Sequence, residues 1–166
     1  MVTIEDGIKH LEEIAKLFEE YKTFLGLDVS FQPADQTTDE IAKRYGGDGG
    51  RLYIAFVDGK AAGCIAFHPM KDAHDCEIKR LFTRPAFRGH HVGHLLMQRA
   101  LEDARALGYR CAYLDTVKQL EVANIMYHRM GFREIPAYYH NPLPDVVYYC
   151  RDLTDGELVG AVGAAV

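Results

Sequence analysis

The stretch that decides the fold is residues 76–96, CEIKRLFTRPAFRGHHVGHLL. Residues 76–83 are typical of a β-strand, and the residues after the loop have the apolar spacing of a helix. The loop contains Gly89 and leads directly into the helix amino terminus, where unpaired backbone N–H groups meet the positive end of the helix dipole. The stretch therefore predicts an anion-binding turn, to which Arg84 and Arg88 add charge. An ordinary tight turn with solvated arginines is the alternative.

Helical and strand-like segments alternate around this unit. Helices are predicted over 4–25, 38–45, 95–107 and 119–130, and strands over 51–57, 61–67, 76–83, 110–115, 132–136 and 146–153. Asp58-Gly59 is a strong hairpin signal between two of the strands. The pattern predicts one α+β domain over residues 1–153, with a mixed sheet and helices on both faces. We expect residues 154–166 to form a mobile tail.

Composition narrows the class of protein. The 166 residues carry a formal charge of -5, and 48% are hydrophobic and 26% charged, as in a typical globular domain. The acidic balance argues against a generalised nucleic-acid or membrane-surface binder. The sequence has neither a signal-peptide pattern nor a spanning helix, so we expect a cytoplasmic protein without nucleic-acid or membrane partners. The four cysteines lie far apart, which favours buried hydrophobes over disulfides or zinc ligands.

Two strings resemble the signatures of one family. EIKRLFTRP at 77–85 followed by FRGHHVGHLL at 87–96 resembles the acetyl-CoA signature of the GNAT superfamily, usually written Gln/Arg-x-x-Gly-x-Gly/Ala. ANIMYHRMGF at 123–132 resembles its second signature, Ala-x-x-Leu-Tyr-x-x-x-Gly-Phe. The similarity covers residues 5–153. It implies an N-acetyltransferase that moves an acetyl group from acetyl-CoA to a primary amine of a small molecule or peptide. It also implies a largely antiparallel sheet with a splayed pair of parallel strands in the middle.

The resemblance assigns roles to residues by position. Tyr127 matches the tyrosine that acts as general acid for the departing thiolate, although its helical spacing also suits a core aromatic. Glu77 matches a carboxylate that deprotonates the amine directly or through water, with an exposed cross-strand partner as the alternative. His68 and His74 are weaker candidates for this base. Cofactor contacts are implied for Leu81, Phe82, Thr83, Arg88, Gly89, His90, His91, Val92, Gly93, His94, Asn124 and Tyr127.

The sequence departs from the family pattern at two site positions. His91 stands where the signature has its second glycine, so its side chain either crowds the pyrophosphate or, when protonated, binds it. Leu120 stands where the family often has an asparagine, seven residues before the tyrosine, and Asn124 is a candidate substitute. The histidines at 90, 91 and 94 have no acidic or cysteine ligand nearby, so no metal is expected.

The acceptor side is less determined by the sequence. Phe31 in an early loop and Tyr139 in the stretch 138–142 resemble acceptor-entry segments of one bacterial branch of the family, with packing as the alternative. The oligomeric state is open, a homodimer included. The alternative function is a non-catalytic acyl-CoA sensor or interaction module, which needs neither Glu77 nor Tyr127.

Overall fold

The structure is a computed structural model, and it describes residues 1–32, 35–156 and 158. Its strands are β1 (Val2–Asp6), β2 (Arg51–Val57), β3 (Lys60–Pro69), β4 (Asp75–Thr83), β5 (Cys111–Val117), β6 (Arg133–Ile135) and β7 (Val146–Asp152). Its helices are α1 (Leu11–Leu25), α2 (Thr38–Tyr45), α3 (Val92–Ala106) and α4 (Glu121–Arg129). Within the described ranges, no helix combines the length and the hydropathy needed to cross a bilayer.

The seven strands form one mixed sheet in the order β1-β2-β3-β4-β5-β7-β6. Its pairs are mostly antiparallel, and β4 and β5 form a parallel pair in the middle. The parallel register joins Asp75–Glu77 to Cys111–Tyr113. The α+β class with a mostly antiparallel sheet, flanking helices and a central parallel pair is thereby confirmed.

The chain divides into two compact units. Unit 1 consists of Met1–His68 and Ile78–Ala100, and unit 2 consists of Pro69–Glu77 and Leu101–Val166. β3, β4 and α3 therefore contribute residues to both units. The prediction of a single domain over residues 1–153 stays a prediction.

Unit 1 follows the local sequence signals closely. Gly26 ends α1 at a φ of 64°, and its N–H donates to the Lys22 carbonyl. Asp58 and Gly59 both have positive φ, 49° and 81°, as the predicted two-residue hairpin between β2 and β3 requires. The buried core of this unit combines one face of α1 and of α2 with the strands: Ile14, Leu17, Phe18, Ile41, Tyr45, Leu52, Ile54, Cys64 and Phe82.

The amino terminus differs from the sequence prediction. Residues 4–10 were expected in the first helix, but Val2–Asp6 form β1, which pairs antiparallel with β2. The Asp6 carboxylate then accepts the Ile8 N–H at 2.9 Å and begins a short 3-10 turn before α1. The hydrogen bonds of the β1 backbone are made by pairing with β2. No local sequence pattern shows this pairing, so helical spacing alone predicted a helix here.

The described part of the predicted tail is held against unit 2. Arg105 of α3 donates to the carbonyls of Leu153 and Gly156 at 2.6 and 2.9 Å. Arg151 donates to the carbonyl of Leu158, whose side chain is buried. These hydrogen bonds join residues 153, 156 and 158 to the side chains of Arg105 and Arg151, and the mobility of the tail stays a prediction. The rest of the tail lies outside the described residues.

Candidate active site

In unit 1, β4 leads into the predicted anion-binding turn and the turn leads into α3. A 3-10 turn over Pro85–Phe87 follows the strand, and Gly89 then takes a φ of 95°. The His91 carbonyl accepts the Leu95 N–H at 3.0 Å, so the helical hydrogen bonds start there. A Cβ placed on Gly89 would meet nothing within 4 Å, so the space beside this exposed backbone is open. The turn has the geometry that a phosphate group needs to approach a helix amino terminus.

His91 has a backbone conformation that normally selects glycine. Its φ is 60°, in the left-handed region, which costs a residue with a Cβ about 1–2 kcal/mol. The side chain is exposed. The backbone conformation at this position therefore favours glycine, and this chain adopts that conformation with a histidine at some cost in stability.

Two variants of His91 separate the effect of its left-handed backbone on stability from the effect of its imidazole on CoA binding. We expect His91→Gly to unfold with a free energy about 1 kcal/mol above that of His91→Ala, because only glycine relieves the left-handed strain. Urea unfolding monitored by circular dichroism measures this difference. Equal stability of the two variants would contradict the strain. Calorimetry with CoA at acidic and at mildly alkaline pH then tests whether the imidazole crowds the anion or adds charge to it.

The two arginines of the turn have different surroundings. Arg84 donates to both carboxylate oxygens of Glu20, at 2.9 and 2.6 Å, and to Glu13 at 3.2 Å. The hydrogen bond with Glu20 raises the pKa of Arg84. Arg88 is exposed, and its guanidinium carbon lies 4.7 Å from the centre of the Phe24 ring. Because the α1 carboxylates already compensate Arg84, the expectation that Arg84 meets phosphate oxygens is not supported, and Arg88 is the better candidate.

His94, in the first turn of α3, is a buried polar residue without a partner. Only 5% of the residue is exposed, and neither ring nitrogen has a hydrogen-bond partner among the described residues. Burial lowers the pKa of His94, and His91 lowers it further. A neutral imidazole keeps one N–H donor. An orphaned donor near the amino terminus of α3 fits an anionic group such as the pyrophosphate of CoA, because buried polar groups normally have partners.

The end of β4 holds the residues predicted to lend backbone groups to the cofactor. The Phe82 side chain is buried and packs against Tyr21 and Phe24, with ring centres 5.5 and 6.0 Å away. A Cβ on Gly63 of β3 would meet the Phe82 carbonyl at 2.5 Å, so the two strands approach closely there. The core thus fixes this segment through Phe82, while the roles of Leu81 and Thr83 in binding stay predictions.

Arg80 interrupts the regular conformation of β4. Its φ is 61°, and its guanidinium donates to both oxygens of Asp35, at 2.8 and 3.1 Å, and to the Gln32 side chain at 2.8 Å. Burial alone would lower the pKa of Arg80, but the hydrogen bonds and charge of Asp35 outweigh it and raise that pKa. Arg80 therefore ties the loop after α1 to β4. Phe31 lies half-buried in that loop, and its role in acceptor binding stays a prediction.

Glu77 lies in unit 2 at the end of the parallel pairing, opposite Tyr113 of β5. Only 7% of it is exposed, so the exposed alternative considered from the sequence is wrong. The Tyr138 hydroxyl donates to its Oε2 at 2.6 Å. A buried carboxylate that accepts a hydrogen bond is a candidate general base.

A second carboxylate, that of the half-buried Asp115, lies on the same face of the sheet. It follows Tyr113 by two positions on β5 and stands opposite Tyr148 of β7. It accepts a hydrogen bond from the Tyr139 hydroxyl and another from the Asn141 amide, the latter at 2.7 Å. Asp115 was not predicted from the sequence, because only the register of β4 with β5 shows that it shares a face with Glu77.

Tyr127 belongs to the same unit and packs on the other face of the sheet. Only 6% of it is exposed, and its ring lies 5.5 Å from that of Tyr149 and 5.7 Å from that of Phe132. Tyr149 is opposite Leu114, which points away from Tyr113 because successive side chains alternate. The packing expected of a core aromatic is therefore present, and it fixes the ring of the candidate general acid.

The side-chain nitrogen and oxygen of Asn124 both have hydrogen-bond partners inside unit 2. Its side-chain N–H groups donate to the carbonyls of Val117 and Leu120, at 3.0 and 2.8 Å. Its oxygen accepts the Tyr149 hydroxyl at 2.7 Å. The amide thus joins the end of β5 to α4, and its predicted contact with the cofactor arm stays a prediction.

The two histidines considered as weaker base candidates, and the cysteines, have surroundings that give no support for a catalytic role. His74 is exposed and pairs with Asp72 at 3.0 Å, whereas the ring of His68 contacts Arg44 at 3.1 Å. The four cysteines are free, and Cys64, Cys76 and Cys150 are buried as expected, whereas Cys111 is half-buried. Burial raises the pKa of Cys76 to about 12, which keeps the thiol protonated. In the part of the chain that the structure describes, no group of three or more His, Cys, Asp or Glu residues could hold a metal ion.

Similar proteins are known over most of the chain. Residues 10–132 match the acetyltransferase (GNAT) family. An uncharacterized N-acetyltransferase of Schizosaccharomyces pombe is 37% identical over 139 residues, covering 83% of this chain and 85% of that protein. Another, of Escherichia coli, is 27% identical over 136 residues, with coverage of 81% and 80%.

Solved structures of other acetyltransferases share the fold. A GNAT-family acetyltransferase from Staphylococcus aureus superposes with a TM-score of 0.72 at 20% identity, covering 93% of this chain and 100% of that chain. The PaiA N-acetyltransferase from Thermoplasma acidophilum, in complex with coenzyme A, gives a TM-score of 0.71 at 17% identity, with coverage of 92% and 99%.

Proposed function

Because the chain belongs to the GNAT acetyltransferase family, we propose that it transfers the acetyl group of acetyl-CoA to a primary amine of a small molecule or peptide. The observation that carries this proposal is the buried Glu77 carboxylate in the same unit as Tyr127. A protein that only bound an acyl-CoA would need neither group. The transfer takes place by direct attack of the amine in a ternary complex.

In unit 1, the turn after β4 binds the pyrophosphate of the cofactor. The backbone N–H groups from Gly89 to Gly93 and the amino terminus of α3 supply donors and positive potential. Arg88 adds a charge, and neutral His94 adds one donor. The backbone of Leu81–Thr83 binds the pantetheine arm, and one of its N–H groups stabilises the oxyanion that forms during the transfer.

In unit 2, two side chains move the protons. An amine arrives as an ammonium ion, and Glu77 takes a proton from it, directly or through water, so that the nitrogen lone pair becomes available. Acetyl-CoA supplies the activated acyl group as a thioester. The C–N bond forms to give the tetrahedral oxyanion, its collapse breaks the C–S bond, and the nitrogen releases its remaining extra proton to water. Tyr127 gives its proton to the departing thiolate, for which a phenolic hydroxyl is a suitable donor.

Replacing Glu77 tests the proton-accepting step. We expect Glu77→Gln to lower kcat/KM at neutral pH by about 10²-fold or more, since the amide cannot accept the proton. Its affinity for CoA should stay that of the wild type, because the turn is unchanged. CoA release with a panel of amines measures the rate, and calorimetry measures CoA binding.

Glu134→Gln is the matched control for Glu77→Gln, since Glu134 is an exposed carboxylate in the same unit. It should keep wild-type activity. If Glu77→Gln turns over the best amine as fast as this control, Glu77 is not the base. Tight CoA binding without turnover of any amine by the wild type would favour the sensor instead.

We propose a cytoplasmic enzyme that acts on an amine acceptor, without nucleic-acid or membrane partners and without a metal. Phe31 and Tyr139 are the proposed acceptor contacts. The oligomeric state is left to measurement, with a homodimer as one outcome.

A further inference from the structure

Tyr138 is held in one orientation beside Glu77. Its hydroxyl donates to Oε2 of Glu77 at 2.6 Å. Its ring makes an edge-on contact with Tyr113 at 5.3 Å and with Tyr148 at 5.4 Å, and it contacts Tyr139 at 5.4 Å. Tyrosine has few rotatable bonds, so three ring contacts leave its hydroxyl little freedom to move.

The segment that carries Tyr138 is itself tied to the sheet, although it has no regular secondary structure. Tyr139 and Asn141 both donate to Asp115, the latter at 2.7 Å. The Tyr148 hydroxyl donates to the Tyr139 carbonyl at 2.8 Å and accepts the Asn141 N–H at 3.1 Å. These bonds on the residues that directly follow Tyr138 fix the backbone from which its side chain reaches Glu77.

We propose that Tyr138 is a positioning residue for catalysis, which orients the Glu77 carboxylate and stabilises its charged form through the hydrogen bond to Oε2. The inference rests on the proposed role of Glu77 as general base. Tyr138 does not take the proton itself. It acts through Glu77, and the segment tied to Asp115 keeps it there.

The hydrogen bond has a defined sign for pH dependence. A donor to a carboxylate favours the charged form, so it lowers the pKa of Glu77, and its loss raises that pKa. Activity that needs the charged carboxylate falls as the pH drops through this pKa. Its acidic limb therefore moves to higher pH when the hydroxyl is removed. Among the described residues, the titratable groups near Glu77 include Asp75, Cys76 and Lys79 on its own strand, Tyr113 and Asp115 on β5, Tyr148 on β7, and Tyr139.

The test is the pH profile of kcat/KM for Tyr138→Phe, which keeps the ring and removes only the hydroxyl. We expect the acidic limb to move up by about one pH unit, the size of one hydrogen bond to a charged group. Below the limb, kcat/KM should fall about tenfold, and well above it the variant should approach the wild type. A uniform loss at every pH, or an unmoved limb, would overturn the proposal.

Tyr113→Phe is the control, because the Tyr113 ring contacts that of Tyr138 in the same ring cluster. The hydroxyl that this variant removes bonds Cys150 and not Glu77. Its acidic limb should stay at the wild-type pH. An equal upward shift in this control would assign the effect to general loosening of the cluster and would overturn the role of Tyr138.

A measurement without turnover separates this inference from the proposed function. Carboxyl carbon NMR of the wild type and of Tyr138→Phe, with Glu77→Gln to assign the signal, gives the pKa of Glu77 directly. We expect a value about one unit higher in Tyr138→Phe. An unchanged pKa would overturn the inference even if the enzyme is active. If no amine is acetylated but the pKa moves, the proposed function fails while the coupling of Tyr138 to Glu77 stands.

Discussion

Tyr127→Phe should lower kcat by about 10²-fold or more while the affinity for CoA stays close to that of the wild type. Phenylalanine keeps the contacts with Tyr149 and Phe132, at 5.5 and 5.7 Å between ring centres. The variant therefore removes the proposed acid and little of the packing. Stopped-flow or steady-state CoA release at saturating acetyl-CoA and amine measures the loss.

Tyr149→Phe is the matched control for Tyr127→Phe. It deletes a hydroxyl from the ring that packs on Tyr127. This hydroxyl donates to Asn124 and is not the proposed general acid. We expect it to keep kcat within a few-fold and to lose only about 1 kcal/mol of stability. Equal kcat values for Tyr127→Phe and the wild type would leave Tyr127 a core aromatic and remove it from the mechanism.

Arg80→Met should destabilise the protein by about 3–5 kcal/mol, because it leaves the Asp35 carboxylate buried without its partner. The side chains of the pair are only 11% and 8% exposed, and the Tyr45 hydroxyl also donates to Asp35 at 3.1 Å. Urea unfolding followed by circular dichroism measures the change in the free energy of unfolding.

Two comparisons make the Arg80 result specific. Replacing both partners, as in Arg80→Met with Asp35→Leu, should recover much of the loss, since no unpaired charge is then buried. Lys16→Met, which breaks an exposed pair with Glu13 at 3.7 Å, should change stability by no more than about 0.5 kcal/mol. A loss for Arg80→Met as small as that for Lys16→Met would show that the buried pair contributes nothing.

Much of the fold was predictable because it depends on local signals. Gly26 at the end of α1 and Asp58-Gly59 between β2 and β3 have the backbone conformations that their residue types favour. The strand, turn and helix around Gly89 were also read correctly from periodicity. β1 was not predicted, because it is stabilised by pairing with β2, which lies about 50 residues away in the sequence. Residues 2–6 are also too few to outweigh the helical spacing that follows.

The site was predictable where a motif fixes a residue and not where tertiary contacts decide. The motif tyrosine and Glu77 both belong to unit 2, as their proposed roles require. The carboxylate partners of Arg84 could not be predicted, because Glu13 and Glu20 lie far from it in the sequence. The same holds for the bond between Tyr138 and Glu77, which joins residues 61 positions apart.

The most direct test of the proposed function is incubation of the wild-type protein with acetyl-CoA and a panel of primary amines. Free thiol and the mass of each amine are measured together. The proposed function predicts that at least one amine gains an acetyl group in equal amount to the CoA released, and that Glu77→Gln and Tyr127→Phe both lose this product. CoA binding without any acetylated amine across the panel would contradict it.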